Sequence, residues 1–262
     1  MTLPDIRKIN QIAREAGHAI LDIYSRDFEV DEKEDQSPLT QADMASHHHI
    51  TGELRKLTPE IPVLSEESAF VPWEQRSQWR RYWLVDPLDG TREFVKRNGE
   101  FTVNIALVED HRPVLGVVHA PVPDTTWYGD RQGGAWRQKG DEIPERISVT
   151  SPAGSPLRVA GSRSHAGDSL KHFLEKIGDH EIVSMGSSLK LCLVAEGKAD
   201  IYPRLGPTSE WDTAAAQAVV EAAGGLVTDT KMRPLDYNRK ESLLNPHFLV
   251  FGDPDVRWAD YL

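Results

Sequence analysis

Residues 83–91 have the sequence WLVDPLDGT, in which an apolar run stops at two carboxylates three positions apart. The aromatic and β-branched residues of the run predict a buried strand, and Pro87 predicts a turn after it. In such a turn Asp86 and Asp89 face the same space, with the Leu88 carbonyl oxygen between them. Because hard oxygen donors suit a divalent cation, the stretch predicts a metal site, with magnesium as the natural candidate.

The same residues leave a plainer interpretation open, a proline turn with two solvated aspartates. Gly90 permits a tight turn, and Thr91 opens a predicted helix whose free N–H groups favour an anion. Residues 88–91 also resemble the aspartyl-phosphate motif of haloacid dehalogenase-like phosphatases. Those enzymes need a nucleophilic Asp two positions before the second Asp, where this chain has Pro87, so a covalent aspartyl mechanism is disfavoured.

The composition is that of a soluble globular protein, and the net charge argues against a nucleic-acid polymer as its main partner. The chain has 262 residues, 39% hydrophobic and 27% charged, with a formal net charge of −11. A nucleic-acid polymer needs a basic face, whereas a small anion requires only local cations. The single cysteine, Cys192, excludes an intrachain disulfide and indicates a reducing compartment. Without a signal sequence or an apolar run long enough for a membrane span, we expect a cytoplasmic protein, leaving peripheral association with the inner membrane and the oligomeric state open.

The pattern along the chain predicts two domains, 1–153 and 154–262. Helical spacing of apolar residues covers residues 3–24. Residues 38–43 lead into a second helix that runs to about residue 57 and contains His47, His48 and His49, to which we assign surface or packing roles. The other elements predicted in the first domain are strands at 62–65, 82–85, 102–108, 114–121, 125–128 and 134–137. Residues 74–81 are predicted to be irregular, and residues 151–156 have linker composition. Beyond them strands and helices alternate, which predicts an α/β layer after an α+β half.

Two further acids stand at the ends of predicted elements. Glu66 follows the short strand at 62–65, so it becomes a third carboxylate if that strand lies beside the one before Asp86. Asp212 opens a predicted helix at 211–223, where an Asp is commonly a cap or a complement to the helix dipole.

Three motifs together resemble one family, and they do so in order over nearly the whole chain. They are Ser65-Glu66-Glu67-Ser68, Asp86-Pro87-Leu88-Asp89-Gly90-Thr91, and Trp211-Asp212 followed by Gly224-Gly225. The chain is thus similar to the inositol monophosphatase-like, lithium-sensitive magnesium phosphatases. Ala216 departs from the glycine that the family often has inside that helix. The resemblance implies a layered αβαβα sandwich of the inositol monophosphatase and fructose-bisphosphatase type, with the metal site between its two halves.

The resemblance also implies a role for each matching residue. Glu66, Asp86 and the Leu88 carbonyl would hold one magnesium ion, and Asp86, Asp89 and Asp212 a second; Glu66 is left open as a ligand of a weaker third ion. Two ions about 4 Å apart suit in-line attack by water on a phosphate monoester. Thr91 and Asp43 resemble the pair that orients this water and takes its proton, although Asp43 is also interpretable as a residue that only starts a helix. The Gly90 and Thr91 amides would grip the scissile phosphate.

Three more stretches resemble the bacterial 3′(2′),5′-bisphosphate nucleotidases of the CysQ type. They are residues 93–102, residues 161–165, and residues 186–190 continued at 202–204. This resemblance implies removal of the 3′-phosphate of adenosine 3′,5′-bisphosphate, leaving AMP, in sulfur metabolism. The predicted substrate-binding residues are Glu66, Leu88, Asp89, Gly90, Thr91, His165, Gly186, Lys190 and Asp212. Lys190 and His165 would hold the second phosphate, although Lys190 is also interpretable as an exposed helix lysine.

Two alternative functions stay open on the sequence. One is an inositol or sugar phosphate monoesterase on the same scaffold, and the other is a non-catalytic anion-binding protein. The acidic character of Glu66, Asp86, Asp89 and Asp212 disfavours the latter, since a decayed site would have lost ligands.

Overall fold

The computed structural model of the protein describes residues 2–26, 38–68, 70–161 and 168–262. In these ranges the helices are α1 (Ile6–Tyr24), α2 (Pro38–Leu57), α3 (Trp73–Arg76), α4 (Thr91–Val95), α5 (Asp168–Ile177), α6 (Leu189–Ala195) and α7 (Glu210–Ala222). Two short 3₁₀ turns span Glu66–Ser68 and Trp258–Tyr261. None of the helices in the described ranges is long and apolar enough to cross a membrane.

The strands form two sheets. The first contains, side by side in chain order, β1 (Val63–Ser65), β2 (Arg81–Asp89), β3 (Thr102–Glu109), β4 (Arg112–Ala120), β5 (Thr125–Asp130), β6 (Gly134–Lys139) and β7 (Glu145–Ile147). β1 is parallel to β2, and every other neighbouring pair in this sheet is antiparallel. The second sheet has the order β11-β12-β10-β8-β9 and consists of β8 (Leu157–Gly161), β9 (His180–Ser184), β10 (Ile201–Arg204), β11 (Leu226–Asp229) and β12 (Phe248–Phe251).

Buried side chains show how the layers stack. α1 and α2 cover one face of the first sheet, where Ile9 and Ile50 pack in the same apolar cluster as Trp83. α6 and α7 lie between the sheets, since their residues share one cluster with Leu84 of the first sheet and Val250 of the second. α5 and the C-terminal 3₁₀ turn cover the far face of the second sheet. This stacking confirms the predicted αβαβα sandwich.

The predicted boundary after residue 153 falls between β7 and β8, where the chain leaves the first sheet and enters the second. However, α7 from the second half packs against strands of the first sheet, within one continuous core. Because the two halves share this core, the division into domains 1–153 and 154–262 stays a prediction.

Two local predictions are wrong. The segment at 74–81 was expected to be irregular, but α3 occupies Trp73–Arg76 and β2 begins at Arg81. A four-residue helix is only about one turn, so it leaves no periodic signal in the sequence. The strand before Asp86 was expected to end there in a turn, whereas β2 continues to Asp89.

Candidate metal centre and substrate cleft

An irregularity at the end of β2 brings its two aspartates to the same side. Asp86 pairs with Asn104 of β3 and Asp89 with Thr102, so β2 has one residue more than β3 in this interval. In a regular strand, side chains three positions apart point to opposite faces, and one extra residue restores them to the same face. The carboxylates therefore converge through a bulge in a strand, not through the proline turn that the sequence suggested.

Asp212 completes a cluster with these two residues. It lies in the first turn of α7, and one carboxylate oxygen from each of Asp86, Asp89 and Asp212 lies within 4.8 Å of the others. Asp86 is 1% exposed, and the other two are half-buried. The sequence-predicted ligands from β2 and α7 thus meet where the first sheet adjoins the helices between the sheets.

Donors on the protein fix the orientation of each carboxylate. Asp86 Oδ1 accepts a hydrogen bond from the Leu88 N–H at 3.0 Å, and Asp212 Oδ2 accepts one from the Ser209 N–H at 2.9 Å. Asp89 Oδ2 accepts from the Ser187 hydroxyl at 2.5 Å and from the Ser188 N–H at 2.6 Å. The acids are thus held in place by the fold before any ligand binds.

Glu66 joins the cluster from the neighbouring strand. Because β1 is parallel to β2, with Ser65 opposite Val85, Glu66 lies beside Asp86 and shares a hydrogen bond with it. The residue as a whole is exposed, but its carboxyl group has lost much of its water. This desolvation, reinforced by the nearby Glu67 and Asp89, raises the pKa of Glu66 to about 7.

The neighbouring acids are also hard to ionise. Burial, followed by repulsion from Asp89, raises the pKa of Asp212 to about 7, and the same causes raise that of Asp86 well above its usual range. Burial, with repulsion from Glu67 and Glu66, raises the pKa of Asp43 to about 8. A bound cation removes this penalty by neutralising the repulsion, so the set of oxygen donors fits a hard divalent ion.

Gly90 and Thr91, the residues predicted to bind the scissile phosphate, follow directly after the bulge. Gly90 has φ +97° and caps α4, and a Cβ there would lie 3.1 Å from the Glu100 carbonyl oxygen, so glycine is required. Thr91 is the first residue of α4, as predicted, and is exposed. The Leu88 side chain is buried in the apolar cluster under α1 and α2. Asp43, on α2, has an Oδ1 atom without a hydrogen-bond partner among the described residues, so its pairing with Thr91 stays a prediction.

A cleft of about 680 Å³ opens from the acidic cluster. Asp89, Thr91 and Asp212 line it together with Lys190 and Arg204. Arg92 and Lys96 also line it, so two acids of the cluster and four basic residues share one cavity, which suits a substrate with more than one anionic group.

Two predicted substrate-binding residues of the 186–190 stretch lie in this cleft. A Cβ on Gly186 would lie 2.8 Å from Glu93 Cγ, so glycine lets the loop close against α4. Lys190 is buried, not an exposed helix lysine, and its Nζ donates to the carbonyl oxygens of Met185 at 3.2 Å and Ser187 at 2.8 Å. Burial lowers the pKa of Lys190 to about 8. His165 lies outside the described residues.

A model of the inositol monophosphatase family matches residues 4–250 of the chain. The chain belongs to this family. It is 52% identical over 247 residues to the 3′(2′),5′-bisphosphate nucleotidase CysQ of Salmonella typhimurium, a match that covers 94% of this chain and 98% of that protein. It is 40% identical to the CysQ nucleotidase of Aggregatibacter actinomycetemcomitans, over 97% of this chain and 94% of that protein.

Solved structures of the inositol monophosphatase family have the same fold. The crystal structure of CysQ from Bacteroides thetaiotaomicron superposes with a TM-score of 0.84 at 43% identity, covering 93% of this chain and 95% of that one. An inositol monophosphatase from Zymomonas mobilis superposes with a TM-score of 0.79 at 27% identity, covering 98% and 96%. The resemblance read from the motifs is therefore confirmed at the level of the family.

Sequence reasoning missed the hydroxyl groups that support Asp89 in this member of the inositol monophosphatase family. The Thr102 hydroxyl lies 2.7 Å from that of Ser187 and 2.8 Å from that of Ser188, and Ser188 in turn donates to Asn104 Oδ1 at 3.0 Å. Ser187 and Ser188 lie in a stretch already singled out by resemblance. Nothing in their residue type, however, indicates that they hold an acid from β2.

The pKa shifts predict how stability depends on pH. Asp43, Glu66, Asp86 and Asp212 bind protons in the folded state up to higher pH than in the unfolded chain, where carboxyl groups titrate near about 4. The metal-free protein should therefore lose stability as the pH rises from about 4 through about 8. We expect its melting temperature to fall by more than about 5 °C between pH 5 and pH 8.5.

Calorimetric scans across this pH range, with and without saturating Mg²⁺, check the prediction. Magnesium should stabilise the protein more at pH 8.5 than at pH 5, because at pH 5 it competes with protons. Asp86→Asn, which removes one buried acid, should show a smaller fall without metal. A metal-free melting temperature that rises from pH 5 to pH 8.5 would contradict the proposed clustering of protonated acids.

Proposed function

We propose that the chain is a magnesium-dependent phosphatase that hydrolyses the 3′-phosphate of adenosine 3′,5′-bisphosphate to give AMP and phosphate. The observation that carries the proposal is the identity of 52%, over nearly the full length of both chains, to a CysQ 3′(2′),5′-bisphosphate nucleotidase. The cleft supports it, since Asp89 and Asp212 of the acidic cluster line the same cavity as the basic residues Lys190 and Arg204. A cytoplasmic location remains a prediction.

In this proposal Glu66, Asp86, the Leu88 carbonyl, Asp89 and Asp212 hold two Mg²⁺ ions. When bound, these ions act as Lewis acids that neutralise charge on the phosphate and favour ionisation of the attacking water. The hydrogen bonds from Leu88, Ser188 and Ser209 keep the three aspartates oriented, so little reorganisation accompanies binding.

The remaining residues bind substrate and move the proton. The N–H groups of Gly90 and Thr91 bind the scissile phosphate at the start of α4, and the Thr91 hydroxyl orients the attacking water. Asp43, in its ionised form, takes this proton at Oδ1, the oxygen that has no other hydrogen-bond partner in the described chain. A cation held by Glu66 would weaken the repulsion that helps to raise the pKa of Asp43 to about 8, and so would favour the ionised form. Lys190, together with Gly186 and His165, binds the 5′-phosphate, and the product is AMP.

A panel of substrates tests this proposal. Phosphate release should be at least about tenfold more efficient, as kcat/KM, from adenosine 3′,5′-bisphosphate than from inositol 1-phosphate, and chelation of divalent ions should abolish it. A preference for inositol 1-phosphate or a sugar phosphate would instead assign the general monoesterase activity. Absence of phosphate release from every substrate, with magnesium present and the protein folded, would favour a non-catalytic anion-binding protein.

A further inference from the structure

A segment near the C-terminus wraps the turn of α7 that carries Asp212. We call residues 237–245 the α7 strap. The Glu210 N–H donates to the Leu243 carbonyl at 2.8 Å, and the Asn245 N–H donates to the Thr208 carbonyl at 2.8 Å. The Asn245 side chain also donates to the Ser209 carbonyl at 2.7 Å. The strap therefore satisfies backbone groups on both sides of the helix start and fixes its position.

Arg76 of α3 fastens this strap from the other side. Its guanidinium donates to Asn238 Oδ1 at 2.5 Å, to the Lys240 carbonyl at 3.3 Å and to the Glu241 carbonyl. Asn238 returns the contact, since its Nδ2 donates to the Arg76 carbonyl at 2.7 Å. Both side chains are buried, with Arg76 2% exposed and Asn238 fully enclosed. Such a reciprocal, buried and charge-assisted pairing leaves little freedom to either partner.

The pairing continues into α7. The Asn238 N–H donates to Glu210 Oε2 at 2.8 Å, and Glu210 is the first residue of that helix. One chain of hydrogen bonds therefore runs from Arg76 through Asn238 to the helix turn of Asp212. Arg76 itself belongs to α3. In the sequence, α3 lies between the 3₁₀ turn that contains Glu66 and strand β2, which carries Asp86 and Asp89.

We propose that Arg76 and Asn238 form a positioning latch that sets Asp212 against Glu66, Asp86 and Asp89 and so determines the affinity for the second divalent ion. The inference rests on the proposed function only in taking these four acids as metal ligands. Asp86 and Asp89 come from the first sheet, whereas Asp212 comes from a helix of the second half. The latch joins α3, which lies in the sequence between Glu66 and β2, to the α7 strap, which holds the helix turn of Asp212.

Loss of the latch should act on metal binding more than on the fold. Without the guanidinium, the strap loses the hydrogen bonds that hold it, and the first turn of α7 becomes more mobile. Asp212 then spends less time in the position in which its Oδ2 accepts the Ser209 N–H. Removing a group that orients a metal ligand typically weakens metal binding by about 10- to 100-fold. The first site, formed by Glu66, Asp86 and the Leu88 carbonyl, does not use Asp212 and should keep its affinity.

Titration of the full chain with Mn²⁺, following the EPR signal of the free ion, tests the latch without any catalytic assay. Arg76→Met keeps the length of the side chain but not its donors, and Asn238→Gly removes the side chain at a position whose φ of +52° glycine tolerates. Both variants should bind the second ion about 10- to 100-fold more weakly than the wild type. Arg76→Lys, which retains one donor group, should restore part of the affinity.

Arg158→Met is the matched control. Arg158 also binds a side chain and a backbone carbonyl, donating to Asp200 Oδ1 at 2.7 Å and to the Gly197 carbonyl at 2.7 Å, but it contacts none of the ligands. This variant should lose stability and keep both metal affinities. In assays of phosphate release, the latch variants should raise the half-saturating Mg²⁺ concentration by the same factor and leave the KM for nucleotide unchanged at saturating metal.

The outcomes separate the two proposals. Folded latch variants with wild-type affinity for both ions, or an equal loss in Arg158→Met, would overturn the latch and leave the proposed function standing. If Arg76→Met fails to fold, Asn238→Gly decides, because its backbone conformation is retained. A wild-type protein that binds no divalent ion would overturn the proposed function and the latch together.

Discussion

Replacing Asp89 with asparagine should lower kcat for phosphate release by roughly 10²–10³-fold while the protein stays folded. Asp89 Oδ2 accepts two hydrogen bonds, from the Ser187 hydroxyl and the Ser188 N–H. Because the Ser188 N–H can only donate, an asparagine must place its oxygen there and turn its NH₂ group towards the other carboxylates. That group cannot bind a cation, so the variant loses both a ligand and a negative charge.

Steady-state kinetics over a range of Mg²⁺ concentrations measures this effect. Asp229→Asn is a suitable control, since Asp229 also accepts backbone N–H groups, from Lys231 at 2.8 Å and Arg233 at 3.0 Å, but lies outside the cleft. It should keep the wild-type kcat. Near wild-type turnover in Asp89→Asn would show that the cluster does not hold the catalytic ions.

The acids of this site were predictable from the sequence, but the way the chain brings Asp86 and Asp89 together was not. An apolar run that stops at carboxylates is visible in residues 83–91. Whether those carboxylates share a face depends on the register between β2 and β3, which shifts between the Asp86–Asn104 and Asp89–Thr102 pairs. A bulge has no strong local signature, because it is a property of two strands and not of one.

The latch and the hydroxyl groups that support Asp89 could not be predicted from the sequence, because both depend on contacts between residues far apart in the chain. Arg76 and Asn238 are separated by most of the chain, and neither belongs to a periodic apolar pattern or an acidic motif. Ser187 and Ser188 carry no charge, and their contact with Asp89 depends on how the second half docks on the first. A long helix such as α1 was predictable because one of its faces is buried, which imposes a period on the sequence. The central strands β2, β3 and β4 are buried on both faces and were predictable as short apolar runs between turn residues.

The contacts of Lys190 in the cleft leave one of its N–H groups for a substrate phosphate. Its Nζ is over the ring of Tyr202, 5.5 Å from the ring centre, and two of its three N–H groups reach the Met185 and Ser187 carbonyls. The third N–H is the one that the 5′-phosphate would engage. Burial lowers the pKa of Lys190 to about 8, so below that pH the ammonium form predominates. A bound phosphate would stabilise this charge further, since the two are of opposite sign.

Lys190→Ala should therefore raise the KM for adenosine 3′,5′-bisphosphate by about 10- to 150-fold, with a much smaller effect on 3′-AMP, which has no 5′-phosphate. The lost contact persists in the ground and transition states, so it affects binding more than kcat. A charge-assisted hydrogen bond contributes about 1.5–3 kcal/mol, which corresponds to that factor. Lys198→Ala, which removes a lysine paired with Glu196 outside the cleft, should change neither constant. If Lys190→Ala impaired both substrates equally, the two carbonyl contacts would be its main role, and Lys190 would support the loop of Ser187 and Ser188 that holds Asp89.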